Sequence, residues 1–196
     1  MNCLAELLPL FGFVFFGLFS PGPNVILLTT SGARFGFRRT IPHIAGVAVG
    51  VGITAGVTGF GIGTLLNAYP TLEFILKIAA SAWILWMAFN LWRADPAKGD
   101  GSDRPFTFIE AVLFQWINPK VWAVALSATA YVANLGPLDQ AKTLSLTFSG
   151  LNLGVCLFWT AAGAILAFLL TNQTAWRVFM RVMAVALVGF SVLVLL

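Results

Sequence analysis

The sequence predicts an all-α polytopic membrane protein: six transmembrane helices in two inverted three-helix repeats, with the first and fourth helices broken. Three observations point there. Hydrophobic residues make up 59% of the 196 and charged residues 9%, with a mean hydropathy of +0.92, outside the range of soluble domains. About six apolar stretches reach the roughly 20 residues that a bilayer crossing needs. Two proline interruptions, S-P-G-P-N at 20–24 and N-P-K at 118–120, put Pro21 and Pro119 98 residues apart, half of 196.

The first stretch, Leu4 to Ser31, exceeds one ordinary span and contains the S-P-G-P-N break. Ile44 to Leu66 is the second, Leu72 to Trp92 the third and Phe108 to Ala133 the fourth, with N-P-K inside it. Leu144 to Leu170 and Ala175 to Leu196 complete the set. Only Arg93 to Thr107 reads as a linker, so the chain is expected to be one membrane domain over 1–196 with halves near 1–98 and 99–196. Met1 to Glu6 lacks the basic n-region of a signal peptide, so the first segment is expected to be retained. Cys3 and Cys156 lie far apart without a C-x-x-C pattern and read as small packing residues.

Basic residues accumulate on the cytoplasmic side of a membrane protein. Arg34, Arg38 and Arg39 fall in the first connection, Arg93, Lys98 and Arg104 in the third, and Arg177 and Arg181 at the start of the sixth span. The odd-numbered connections should therefore face the cytoplasm, with both termini outside. Trp92 and Trp176 then mark the inner interface and Tyr69 and Tyr131 the outer one. The net charge of +4 is spent on topology; no basic face remains to imply a nucleic-acid partner.

An odd number of spans per half inverts the second half relative to the first. Inverted repeats with discontinuous helices at matching positions point to a transporter site near the midplane. Prolines also kink membrane helices without any functional role, and the matched pair is what favours a site. A helix restarting at depth presents unpaired N–H groups and a positive dipole end, both of which favour anions. Ser20 or Gly22 is placed to cap the first restart and Asn118 the second, each followed by a proline where a missing N–H costs nothing. Lys120, about a dozen residues into a span, is costly unless paired or wet. Together these residues suit a carboxylate.

The motifs S-P-G-P-N, G-A-R-F-G-F-R-R, A-G-V-A-V-G and Q-W-I-N-P-K together resemble the LysE/RhtB family of amino acid exporters over nearly the whole chain. The F-I-E-A-V-L-F-Q-W-I-N-P-K and A-L-S-A-T-A-Y-V stretches are similar to its cysteine and O-acetylserine exporter branch. The resemblance implies amino acid efflux across the bacterial inner membrane, coupled to the proton gradient. It places family motif residues at Pro21, Gly22, Pro23, Asn24, Asn118, Pro119 and Lys120. Many members carry an acidic residue where this chain has Gly50-Val51-Gly52, so a neutral or small polar amino acid is expected as substrate.

Among the other polar residues, Gln115 and Asn152 lie within spans, placed either to bind substrate or to bridge helices. Glu110 shares a segment with Lys120 and is the proton-coupling candidate, while Glu6 and Glu73 read as interfacial and Glu73 is placed to pair with Lys77. His43 reads as a loop or helix-start residue. Gly46/Gly50, Gly52/Gly56 and Gly59/Gly63 repeat a G-x-x-x-G spacing, which permits close packing within one protomer or a homodimer seam. Neither a nucleophile with its base nor a metal-ligand cluster is present, so no enzyme, cofactor or metal is expected. A transmembrane thiol-disulfide conduit and a non-transporting scaffold are the alternatives; the first lacks cysteines at the breaks and the second gives no reason for Lys120 at depth.

Overall fold

A computed structural model describes residues 3–20, 22–62, 70–93, 104–169 and 173–195. Pro21, Tyr69 and Lys98 lie outside the described residues, as do the side chains of Cys3, Glu6, Glu73 and Lys77. The described chain is helical throughout, with no strand among those residues. Helix α1 is Cys3–Phe19, α2 Pro23–Phe35, α3 Phe37–Val57, α4 Pro70–Trp92, α5 Phe108–Ile117, α6 Pro119–Ala128, α7 Pro137–Leu169 and α8 Gln173–Leu195.

The first break falls where the prolines put it. Helix α1 ends at Phe19, α2 restarts with Pro23 in its first turn, and the two axes bend by 58°. Helix α2 runs on to Phe35, and Gly36 alone joins it to α3. Gly36 takes φ +79°, the left-handed region that costs other residues a Cβ clash. The Thr40 hydroxyl donates to the Gly36 carbonyl and meets the Ser31 hydroxyl at 3.0 Å, which closes the turn. The expected loop carrying Arg34, Arg38 and Arg39 is thus absent: these arginines flank a one-residue turn between two helices. His43 is likewise not at a helix start, because α3 begins at Phe37; it lies buried in the helix against Phe106.

The second break splits the fourth stretch into α5 and α6 at Asn118. Helices α3 and α7 and, taken together, the bent pair α1–α2 are long and apolar enough to cross a membrane. Helix α7, with 33 residues, is about 50 Å long at 1.5 Å per residue, beyond the ~30 Å hydrocarbon core. Its first turns carry Asp139 and Lys142.

Glycine decides how closely these helices approach. On α3, Gly46 and Gly50 face α5, where an added Cβ would lie 2.4 Å from the Phe108 carbonyl and 2.7 Å from Gln115 Cγ. Gly52, Gly56 and Gly59 face α7 against Ser149, Ser145 and Leu144. The five described glycines of the ridge thus pack against helices of the same protomer, while Gly63 lies outside the described residues. Helices α2 and α7 cross more closely still. A Cβ on Gly32 would lie 2.2 Å from the Thr160 carbonyl, and one on Gly163 1.9 Å from the Thr29 carbonyl. Each T-x-x-G segment thus receives the other's backbone. Helices α4 and α8 pair through Ser81 and Ser191, each hydroxyl donating to the other residue's carbonyl at 3.3 Å.

Two apolar clusters fill the interior. One gathers Leu10, Val14, Val47, Val51, Val121, Leu144 and Phe148 from α1, α3, α6 and α7; the other gathers Ile26, Ile84, Phe114, Met180 and Leu187 from α2, α4, α5 and α8. Outward faces carry exposed Phe16, Trp86, Ile109, Leu146 and Ile165. Apolar exposure on this scale suits lipid rather than water.

Because the Gly163 position abuts backbone, Gly163→Ala is expected to destabilise the fold by about 3 kcal/mol, the upper end for overpacking. Gly154→Ala on the same helix, with open space at its Cβ position, is expected to stay within about 0.5 kcal/mol. Thermal unfolding of the detergent-solubilised variants checks the contrast.

Candidate functional site

A broken helix frees carbonyls on one side and N–H groups on the other, and in lipid each needs a partner. At the second break the chain provides those partners locally. Proline disfavours the helical conformation in the residue before it, and Asn118 sits at φ −84°, ψ 102°. In that conformation its Oδ1 accepts the Lys120 N–H at 3.2 Å and its carbonyl accepts the Val121 N–H at 3.1 Å. Its own N–H reaches the Gln115 carbonyl at 3.3 Å, and the Trp122 indole donates to the Trp116 carbonyl at 2.9 Å.

The first break is only partly closed by its own residues. The Ser20 N–H bonds the Phe16 carbonyl and the Ser20 hydroxyl bonds the Gly17 carbonyl, both at the end of α1. Gly22, not Ser20, occupies the N-cap position of α2, and it has no side chain to cap with. The Ser20 carbonyl accepts a hydrogen bond from the Lys120 ammonium across the bundle. Lysine at the second break thus serves the first.

The geometry revises the expected arrangement in two respects. Asn118 caps α6, so of the two helix starts only that of α2 lacks a side-chain cap. The Lys120 ammonium rests on the carbonyl end of α1, although its stem also passes the N-cap of α2. A Cβ on Gly22 would lie 2.7 Å from Lys120 Cδ and 3.0 Å from Nζ. The absence of a side chain there lets the lysine cross, since the extended φ of Gly22 is open to any residue.

Beside this crossing, Asn24 and Gln115 form a reciprocal amide pair. Asn24 Nδ2 donates to Gln115 Oε1 at 2.8 Å and Gln115 Nε2 donates back to Asn24 Oδ1 at 3.2 Å. Gln115 also donates to the Ala111 carbonyl at 2.9 Å. These two amides clamp α2 to α5, which leaves little of their hydrogen-bonding capacity for a ligand. Asn152 of α7 differs: it is 2% exposed and its Nδ2 has no partner among the described residues.

Gly22, Asn24, Asn118, Lys120 and Asn152 line one cavity with Leu18, Val25 and Val121. Its volume is about 10 Å³, room for roughly one water molecule. No carboxylate is among these lining residues. Ser20 reaches the site through its carbonyl, Pro23 and Pro119 open α2 and α6, and Gln115 stands behind Asn24. The three apolar lining residues carried no sequence signal, being indistinguishable from other core positions.

Glu110 is not part of this cluster. It is the third residue of α5 and closes a capping box with Thr107: the Thr107 N–H donates to Glu110 Oε2 at 2.8 Å and the Glu110 N–H to Thr107 Oγ1 at 3.3 Å. Arg104 holds the same carboxylate through two bonds of 2.6 and 2.7 Å, which raises the guanidinium pKa. T-F-I-E at 107–110 is the S/T-x-x-E signature of such a box, so the sequence held a signal for this role. His43, with neither ring nitrogen hydrogen-bonded among the described residues, is a buried polar group that sequence reasoning placed elsewhere.

Asn24→Leu and Gln115→Leu are each expected to cost about 1–2 kcal/mol by orphaning a buried amide. The double variant should cost less than the sum, because the second substitution breaks no further Asn24–Gln115 bond. A double-mutant cycle on unfolding of the solubilised protein measures the coupling.

Residues 15–196 match the family profile described as LysE type translocator. The chain is 30% identical over 109 residues to a cysteine/O-acetylserine efflux protein of Klebsiella pneumoniae, covering 56% of each chain. It is 32% identical over 135 residues to a homoserine/homoserine lactone efflux protein of Salmonella typhimurium, covering 65% of this chain and 66% of the relative. A cysteine/O-acetylserine efflux protein of Escherichia coli matches at 29% over 123 residues, 62% of each chain. The matches thus span just over half to just under two thirds of these relatives' lengths. No solved structure matches significantly.

Proposed function

Since the chain belongs to the LysE type translocator family, we propose that it exports small neutral or polar amino acids, or close derivatives, across the bacterial inner membrane, and binds them where its two helix breaks meet. The observation that carries this reading is the bridge from Lys120 at one break to the Ser20 carbonyl at the other. A lysine at depth is rarely retained without a role. Here it stands beside the start of α2, which has no side-chain cap, and the Asn152 Nδ2, which has no partner among the described residues. Three donor elements around one cavity favour a carboxylate.

Substrate charge follows from what the lining lacks. With no carboxylate among the lining residues, a cationic side chain would be desolvated without compensation. Cysteine, O-acetylserine and homoserine, which appear in the names of the relatives, carry small side chains without positive charge and agree with this choice, whereas homoserine lactone has no free carboxylate.

The proposal includes six spans in two inverted halves, with both termini outside. Supporting it are the two broken elements meeting at their breaks, the close pairing of α3 with α7 and of α4 with α8, and the arginines at the odd-numbered connections. Proton coupling belongs to the same reading. Glu110, held by Arg104 and Thr107, lies outside the cavity, so its part in coupling would have to be played from the surface.

Cells overproducing the wild type should accumulate at least one neutral amino acid in the medium and tolerate its toxic analogue better than cells without the protein. Lys120→Ala should reduce that efflux at least tenfold. Lys142→Ala, an exposed lysine 4.0 Å from Asp139, should leave it within about twofold, the order expected of a weak surface pair. Equal activity of the two variants would remove Lys120 from the site.

A further inference from the structure

We propose that the Lys120–Ser20 bond is an internal stand-in for the substrate, and that an amino acid binds by inserting its own two charges between them. Its carboxylate takes the Lys120 ammonium, the first turn of α2 and Asn152; its ammonium takes the Ser20 carbonyl. This rests on the site assigned above and specifies what that site recognises: a free zwitterion, with both groups unblocked.

The reasoning begins with the two helix ends at the first break. The C-terminal end of α1 carries partial negative charge and the N-terminal end of α2 partial positive charge, with only residues 20–22 between them. A free α-amino acid carries opposite charges one carbon apart, a spacing matched to two such ends. In the structure the negative end is already served, because the Lys120 ammonium donates to the Ser20 carbonyl. The positive end is not: Gly22 offers no side-chain cap, and no acidic residue is among the described lining residues.

Asn152 is independent evidence that an acceptor is missing. It comes from a different helix, is 2% exposed, and lines the same cavity with its Nδ2 unpartnered among the described residues. A buried donor without an acceptor is costly, and a carboxylate oxygen would satisfy it. The cavity, at about 10 Å³, is far too small for an amino acid as it stands. Binding must part the two breaks, and the Lys120–Ser20 hydrogen bond is one that spans them.

Half of a zwitterion does not complete the exchange. A carboxylate alone would draw Lys120 away and leave the Ser20 carbonyl without a donor. An amine alone would take the carbonyl and supply no acceptor to the α2 start or to Asn152. A molecule carrying both charges supplies a partner to each side of the Lys120–Ser20 bond.

The test uses the full-length protein in liposomes and three probes sharing one side chain: L-homoserine, its deaminated form 4-hydroxybutyrate, and its decarboxylated form 3-amino-1-propanol. L-cysteine, 3-mercaptopropionate and cysteamine form a second series. Competition against transport of the zwitterion is expected to be at least tenfold weaker for each half-molecule. A half-molecule competing within threefold overturns the insertion model while leaving the exporter reading intact. Failure to transport any of the twenty amino acids, homoserine or O-acetylserine overturns the exporter reading, and this inference with it. Lys120→Met, checked for membrane insertion and monodispersity, vacates the Ser20 carbonyl and should shift relative binding at least tenfold from L-homoserine towards 3-amino-1-propanol. Equal loss for all three probes would make Lys120 merely structural and overturn the assignment.

Discussion

Every backbone group freed inside a bilayer must be repartnered by protein, and the Lys120–Ser20 bond is where this chain meets that demand across its two halves. The second break needs no help, because Asn118 serves as cap, acceptor and turn within three residues. The first break closes two carbonyls with Ser20 itself and leaves a third for Lys120. A lysine that would be costly inside a bilayer thus has an acceptor, and the Ser20 carbonyl has a donor. Each solves the other's solvation problem.

The close approach that permits this bond depends on small residues elsewhere. Gly22 leaves room for the lysine stem, while Gly32 and Gly163 let α2 and α7 cross with backbone against backbone. That crossing ties α7, the helix of Asn152, to α2, whose start faces the cavity. Gly46 and Gly50 do the same for α5 and α3 and bring Gln115 within reach of Asn24. The polar cluster is therefore held by apolar packing: without a hydrophobic drive between helices in lipid, surface fit and interhelical hydrogen bonds do the assembling.

The site's asymmetry has a functional reading of its own. The two breaks look alike in sequence, a polar residue and a proline in each, yet one is self-sufficient and the other is open. The difference lies in one atom group: Asn118 carries a side-chain oxygen that Gly22 lacks. An uncapped helix start and a lysine placed on the neighbouring carbonyl are the features a zwitterion can exploit, and a break capped as α6 is would not provide them.

Composition alone determined the membrane class, because no soluble core can absorb so much apolar surface. Proline chemistry determined where both breaks fall and that Asn118 would cap the second, since these effects act within three residues. T-F-I-E at 107–110 held the capping role of Glu110 in the same local way. Only the tertiary structure decided that Lys120 would settle on the carbonyl of Ser20, that Asn24 and Gln115 would spend their amides on each other, and that Asn152 would be left with an unpartnered donor. These pairings join residues about a hundred positions apart, and chain periodicity carries no information about which of several compatible partners lies across a helix crossing. The same limit explains the single-residue turn at Gly36, where a run of basic residues suggested a loop: the φ of one glycine, fixed by how α2 and α3 pack, replaced it with a corner.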